Sequence, residues 1–125
     1  MTLSVADLRF IHQVAARTAG RPAAEVDERN LEAAVAYPGG EAVGKPMFPT
    51  AFSRAAALTE AAMRVFPVAS ALTGLFVAFC ALRVEGYQLA APQGVVAGMI
   101  DGMGRERVTV AGLAAWLEDR SVKMG

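Results

Sequence analysis

The side chains able to do chemistry in this chain are few and stand apart. His12 is the one histidine and Cys80 the one cysteine of 125 residues. A histidine works as a base when a nucleophile or an acid accompanies it, and a metal centre needs several ligands. His12 has no carboxylate or cysteine partner nearby in sequence, which suggests neither a metal site nor a nucleophile pair and leaves a structural role as the expectation. Cys80 stands among Phe79 and Leu82 and reads as a small core residue. Being alone, it excludes an internal disulfide and a multi-thiolate metal site, and fits a reducing cytosol. Ser70 has no base to activate it and reads as a helix N-cap. Arg64 is a cation that, at the mouth of a helix-start pocket, would hold an anion or a partner's carboxylate. Its alternative is a solvated arginine at a helix end. No Asp or Glu occurs between Glu60 and Glu85, so the centre of the chain has no carboxylate for a hard cation.

These residues need a frame, and length allows one domain with an apolar core. Twelve Lys and Arg balance twelve Asp and Glu, so the excess of positive charge that favours nucleic acid is missing. The N-terminus has no basic region ahead of an apolar run, and so does not read as a signal peptide. Val65 to Leu82 is an uncharged run of 18 residues between Arg64 and Arg83, at the lower length limit for a membrane span. Pro67, Ser70, Thr73 and Gly74 dilute its first half, no aromatic belt marks both ends, and the flanking amphipathic helices need an apolar partner. The run is expected to be the buried helix of a cytoplasmic protein, with no membrane contact.

Ser4 with Asp7 caps a first helix, Val5 to Thr18, ended by Gly20 and Pro22, with Leu3 and Leu8 as staple and Leu8, Ile11, Val14 and Ala15 on one face. Asp27 caps a second to Ala36, with Val26 and Leu31 as staple. Three Pro and three Gly between Tyr37 and Pro49 mark an exposed, mobile connection of the kind that carries binding residues. Thr50 caps "AFSRAAALTEAAMRV", in which Phe52, Ala55, Leu58, Ala62 and Met63 form the buried stripe. A central apolar helix follows from Ser70 to Val84, stopped by Gly86. "YQL" suits a short strand, a glycine-weakened fifth helix spans Pro92 to Met103, and Thr109 caps "VAGLAAWLEDR", which offers Leu113, Trp116 and Leu117 to the core. The expected fold class is all-α, a single domain of about six helices over residues 1–125.

The order "LSVADLRFIHQVAARTAGRP", "VDERNLEAAVAYP" and "FCALRVEGYQL" resembles the Fic/Doc family, closest to the short death-on-curing (Doc) toxins, over nearly the whole chain. That family carries the pattern HxFxDxNKR, or HxFxDGNGR and HxFxEGNGR in its adenylylating branch, where the loop meets the central helix. Aligning Gly86 with the glycine that ends that helix puts Arg64 at the histidine, Phe66 at the phenylalanine, Val68 at the acid and Ser70 at the asparagine. Ala71 and Leu72 take the Lys-Arg places, and Thr73 the threonine that commonly follows. Only Phe66 and Thr73 match. In relatives the histidine is the general base, the acid holds Mg²⁺ and the basic pair holds nucleotide phosphates. Arg64 cannot accept a proton, Val68 has no oxygen and Leu72 has no charge. No other register restores the site. The resemblance therefore implies a fold without its catalytic residues, no metal ligand and no cofactor, with ATP and Mg²⁺ expected only for a rebuilt site.

It also implies a flap in "EAVGKPMF", where relatives clamp a target backbone as an added strand, so Lys45, Met47 and Phe48 are candidate partner-binding residues. Their alternative is to tuck back onto the domain. The family's own inhibitory helix motif is absent, because Ala81 stands where Ser or Thr is needed before Glu85 and Gly86. Three functions remain open: a Doc-like pseudoenzyme binding a protein partner, either an antitoxin-like helix or a target; a toxin that still acts; and an enzyme of another class in the same pocket.

Overall fold

The computed structural model describes residues 2–124 and is all-α, with six helices and two minimal antiparallel strand pairs among the described residues. Helix α1 (Val5–Thr18) opens on a closed capping box: the Asp7 N–H donates to Ser4 Oγ at 3.1 Å, and the Ser4 N–H donates to the Asp7 carboxylate at 2.8 Å. Asp7 thus fills the place usually held by Glu or Gln. The chain reverses at Gly20, whose φ of +70° suits glycine, while the Gly20 and Arg21 N–H groups bond back to the Arg17 and Ala16 carbonyls. Asp27 caps α2 (Glu28–Ala36) by accepting the Arg29 N–H at 2.9 Å.

The connection from Tyr37 to Pro49 is mostly exposed, as expected, and carries regular structure of its own. After a 3₁₀ turn (Tyr37–Gly39), β1 (Glu41–Ala42) pairs with β2 (Lys45–Pro46) through a two-residue turn of Val43 and Gly44, both at positive φ. That turn matches strand twist, which is why so short a hairpin closes, although a β-branched residue at φ 53° is an unfavourable choice for it.

Helices α3 (Ala51–Val65) and α4 (Ser70–Val84) form the centre. They run antiparallel, since Arg54 meets Glu85 at one end and Met63 meets Gly74 at the other. The apolar-all-round α4 was the expected centre; α3 shares the place. Ala55, Ala56, Ala57, Leu58, Thr59, Ala61 and Ala62 are all buried, because alanines let α2, α4, α5 and α6 approach α3 from several sides. Gly74 permits the closest approach: a Cβ there would stand 2.6 Å from Met63 Cγ and 3.1 Å from Ile100 Cγ2. The uncharged run of the sequence is split by the turn after Val65, so α4 keeps 15 residues, about 22 Å, against a hydrocarbon core of about 30 Å. No helix among the described residues is long and apolar enough to cross a membrane.

Gly86, at φ +89°, turns the chain into β3 (Tyr87–Leu89). Helix α5 (Gln93–Gly104) and helix α6 (Val110–Arg120) follow, and β4 (Ser121–Lys123) returns to pair Tyr87 with Lys123 and Leu89 with Ser121. Leu113 and Leu117 are buried as expected, whereas Trp116 is half-buried under the Arg120 guanidinium, 5.3 Å from its ring. One apolar cluster runs from Leu3 to Leu117.

Candidate functional site

The turn between α3 and α4 holds Arg64, Phe66, Val68, Ser70, Ala71, Leu72 and Thr73 within one short arc, but their side chains part into two groups. Phe66 leaves α3 in an extended conformation and turns inward, with its side chain 1% exposed. Its ring stacks on that of His12, centroids 4.1 Å apart and planes 14° from parallel. His12 is equally buried and uses both ring nitrogens. The Ala24 N–H lies 2.9 Å from Nε2, which must therefore be the unprotonated acceptor. Nδ1 then carries the proton and donates to Thr73 Oγ1 at 3.0 Å. Burial holds the His12 pKa below its ordinary value, so the ring is neutral. The two residues that match the family pattern, Phe66 and Thr73, thus clamp a structural histidine, which in turn ties α1 to α4 and to the segment around Ala24.

The second group faces outward. Ala69 sits in the left-handed region at φ 50° and offers α4 no side-chain cap. Ser70, expected to be that cap, is instead the first helical residue, and its hydroxyl donates to the Phe66 carbonyl four residues back. The tightness of the turn decides this, because a serine already in helical geometry bonds backward more readily than forward. Ser70 and Arg64 line an open cleft of about 390 Å³ completed by Glu60, Met63, Met103, Gly104 and Glu106. Arg64 is ion-paired with Glu60 one turn earlier, and its side chain is two-thirds exposed. Glu106 lines the same cleft as this pair. Val68 and Leu72 are half-buried and Ala71 is exposed, and none of the three lines it. Arg64 also borders a neighbouring depression of about 410 Å³ with Asn30 and Tyr37, so it forms the ridge between two open surfaces.

The candidate flap residues divide as well. Lys45 and Met47 are exposed, as is Val43 at the hairpin tip, whereas Phe48 packs edge-on against Tyr37 at 5.1 Å. Beneath the hairpin, Arg54 makes a two-pronged ion pair with Glu85, Nε to Oε2 at 3.0 Å and an Nη to Oε1 at 2.6 Å. A second Nη of Arg54 reaches the Phe48 carbonyl at 3.4 Å. Glu85 bonding raises the Arg54 pKa above its usual value, and burial opposes this. The pair spans 31 positions, so no local spacing announced it. By contrast, the Glu60 and Arg64 pair was visible as an i,i+4 spacing. Glu106, Met103 and Gly104 reach the cleft only through the packing of α5 on α3 and α4.

Cys80 is half-buried; burial pushes its thiol pKa up, the Asp7 charge adds to this and Arg83 opposes it. It has little thiolate character at neutral pH. Among the described residues no three His, Cys, Asp or Glu side chains gather where they would hold a metal ion. The Ser70 hydroxyl is spent on the Phe66 carbonyl, and His12 has both nitrogens committed elsewhere. No family model matches this chain, and no curated protein matches it.

Proposed function

We propose that this chain is a catalytically inactive protein-binding module of the cytoplasm, a Doc-like relative of toxin-antitoxin toxins that has kept the domain and lost the transfer site. One observation carries the reading: the cleft beside Arg64 and Ser70, which the resemblance would make the phosphate site, is lined by Glu60, Glu106 and an Arg64 already neutralised by Glu60. Phosphate oxygens entering it would meet net negative charge. Burial of Phe66 and Thr73 against His12 supports the same view, since their match to the family pattern has a structural explanation that requires no catalysis. Binding capacity rests on the hairpin, where Val43 at the tip and Met47 beside it expose apolar side chains next to Lys45. The partner in this reading is an antitoxin-like helix or a target protein.

A second reading, a toxin or other enzyme with a rebuilt site, draws on the uncapped start of α4 beside Arg64, where backbone N–H groups favour an anion. Calorimetric titration of the purified chain with ATP, with and without Mg²⁺, decides between them. The inactive module gives no saturable heat up to millimolar nucleotide. Saturable binding would overturn it and point to the rebuilt enzyme. In the same reading Arg64→His alone yields no AMP or phosphate transfer, because Val68 and Leu72 still supply no metal or phosphate ligand; measurable transfer would refute it.

A further inference from the structure

We infer that the outer face formed by α1 and α4 pairs two copies of this chain about a two-fold axis, Phe10 of each filling a cleft on the other. The two helices run antiparallel here, since His12 meets Thr73 while Leu3 meets Val84 further along. Between them lies a cleft of about 240 Å³ with apolar walls from Leu3, Ile11, Cys80 and Val84. Phe10 stands at its edge, 64% exposed, although its neighbours Ile11 and Leu8 are buried. An exposed aromatic ring beside an unfilled apolar cleft is a knob next to a hole.

Such a patch complements itself. In an isologous contact the same surface serves both copies, so every group needs its counterpart on the same face. Phe10 and the cleft supply one reciprocal pair. Asp7 and Arg83 supply the second, being opposite charges on the rim of that cleft, neither in a side-chain ion pair among the described residues. Asp7 and Arg83 border the same cleft as Cys80, so the two charges flank its apolar walls. In the proposed pair Asp7 of one copy meets Arg83 of the other. The face continues over Phe79, Tyr87 and Leu89 in an adjoining depression of about 110 Å³ that shares Cys80 and Arg83. Balanced formal charge leaves no long-range repulsion between copies. A lipid surface would favour basic residues alone, and the carboxylate of Asp7 argues against it.

Sedimentation analysis of the full chain across the micromolar range tests this. The expected result is a mass that rises with concentration from 13.1 kDa toward twice that value. Phe10→Glu and Arg83→Glu should each weaken association by about tenfold or more. Phe10 is exposed, so at concentrations too low for pairing its variant should unfold at the wild-type midpoint, separating lost pairing from lost folding. Val95→Glu, on an exposed position of α5, should leave association unchanged. A wild-type chain that stays at 13.1 kDa throughout overturns the inference and leaves the face to a foreign partner. A dimer that Phe10→Glu leaves intact overturns it too, and moves the contact elsewhere.

Discussion

Thr73→Val tests the assignment of Phe66 and Thr73 as supports of His12. Valine keeps the shape of threonine and removes only the oxygen that accepts the His12 Nδ1 proton at 3.0 Å. The ring cannot adapt by moving that proton to Nε2, because Nε2 already accepts the Ala24 N–H at 2.9 Å. Nor can water compensate, since His12 is 1% exposed and Thr73 fully buried. The variant therefore strands one buried donor, at a cost of about 1–3 kcal/mol. For a chain of this size that is a fall of roughly 4 °C in Tm per kcal/mol. Urea denaturation followed by circular dichroism at pH 7.5 reads the change directly, with an unaltered m-value as the sign that only stability moved. Thr73→Ser, which restores the oxygen, should recover most of the loss. In a His12→Leu background Thr73→Val should be nearly neutral, because no donor remains to be stranded. A loss below about 0.5 kcal/mol for Thr73→Val in the wild-type background, within the range of an ordinary surface change, would refute the tautomer and the support role together.

Three other outcomes follow from the same geometry. His12 is buried neutral with its pKa lowered, so below about pH 6.5 the unfolded chain binds a proton that the native chain refuses. Stability should then fall as pH drops from 6.5 toward the lowered value, by at most about 1.4 kcal/mol per unit, and His12→Gln should flatten that slope; an unchanged slope in the variant would be contrary. Ala69→Gly relieves a left-handed alanine worth about 1–2 kcal/mol while adding unfolded-state freedom of about 0.4–1, so denaturation should show a gain near 1 kcal/mol rather than the loss usual for glycine. Gly74→Ala drives a Cβ to 2.6 Å from Met63 Cγ, and should cost about 1–3 kcal/mol despite the better helix propensity of alanine; a stabilised variant would show that α3 and α4 separate freely.

Local chemistry was legible wherever it depended on neighbours in sequence. Ser4 with Asp7, Asp27, Thr50 and Thr109 mark four helix starts that the structure keeps, because a cap is a hydrogen bond across two or three residues. The bounds of α4 followed from apolar composition and from Gly86. Shorter motifs were less legible: the hairpin of Glu41–Ala42 and Lys45–Pro46 has no alternating pattern to show it, and β4 depends on β3, some thirty residues earlier. Ser70 looked like a cap and is not one, since the chain enters α4 through a left-handed Ala69 and Ser70 is already helical.

By itself the sequence determined the helical class, the caps, the balance of charge and the poverty of nucleophiles, bases and metal ligands, for these are properties of residue type and short spacing. Tertiary structure alone decided what the remaining polar groups do. His12 is committed to Thr73 and Ala24 across 61 and 12 positions, Arg54 to Glu85 across 31, and Glu106 comes to line one cleft with Arg64. Such pairings bring together residues distant along the chain, and only the packing of α1, α3, α4 and α5 fixes which of them meet.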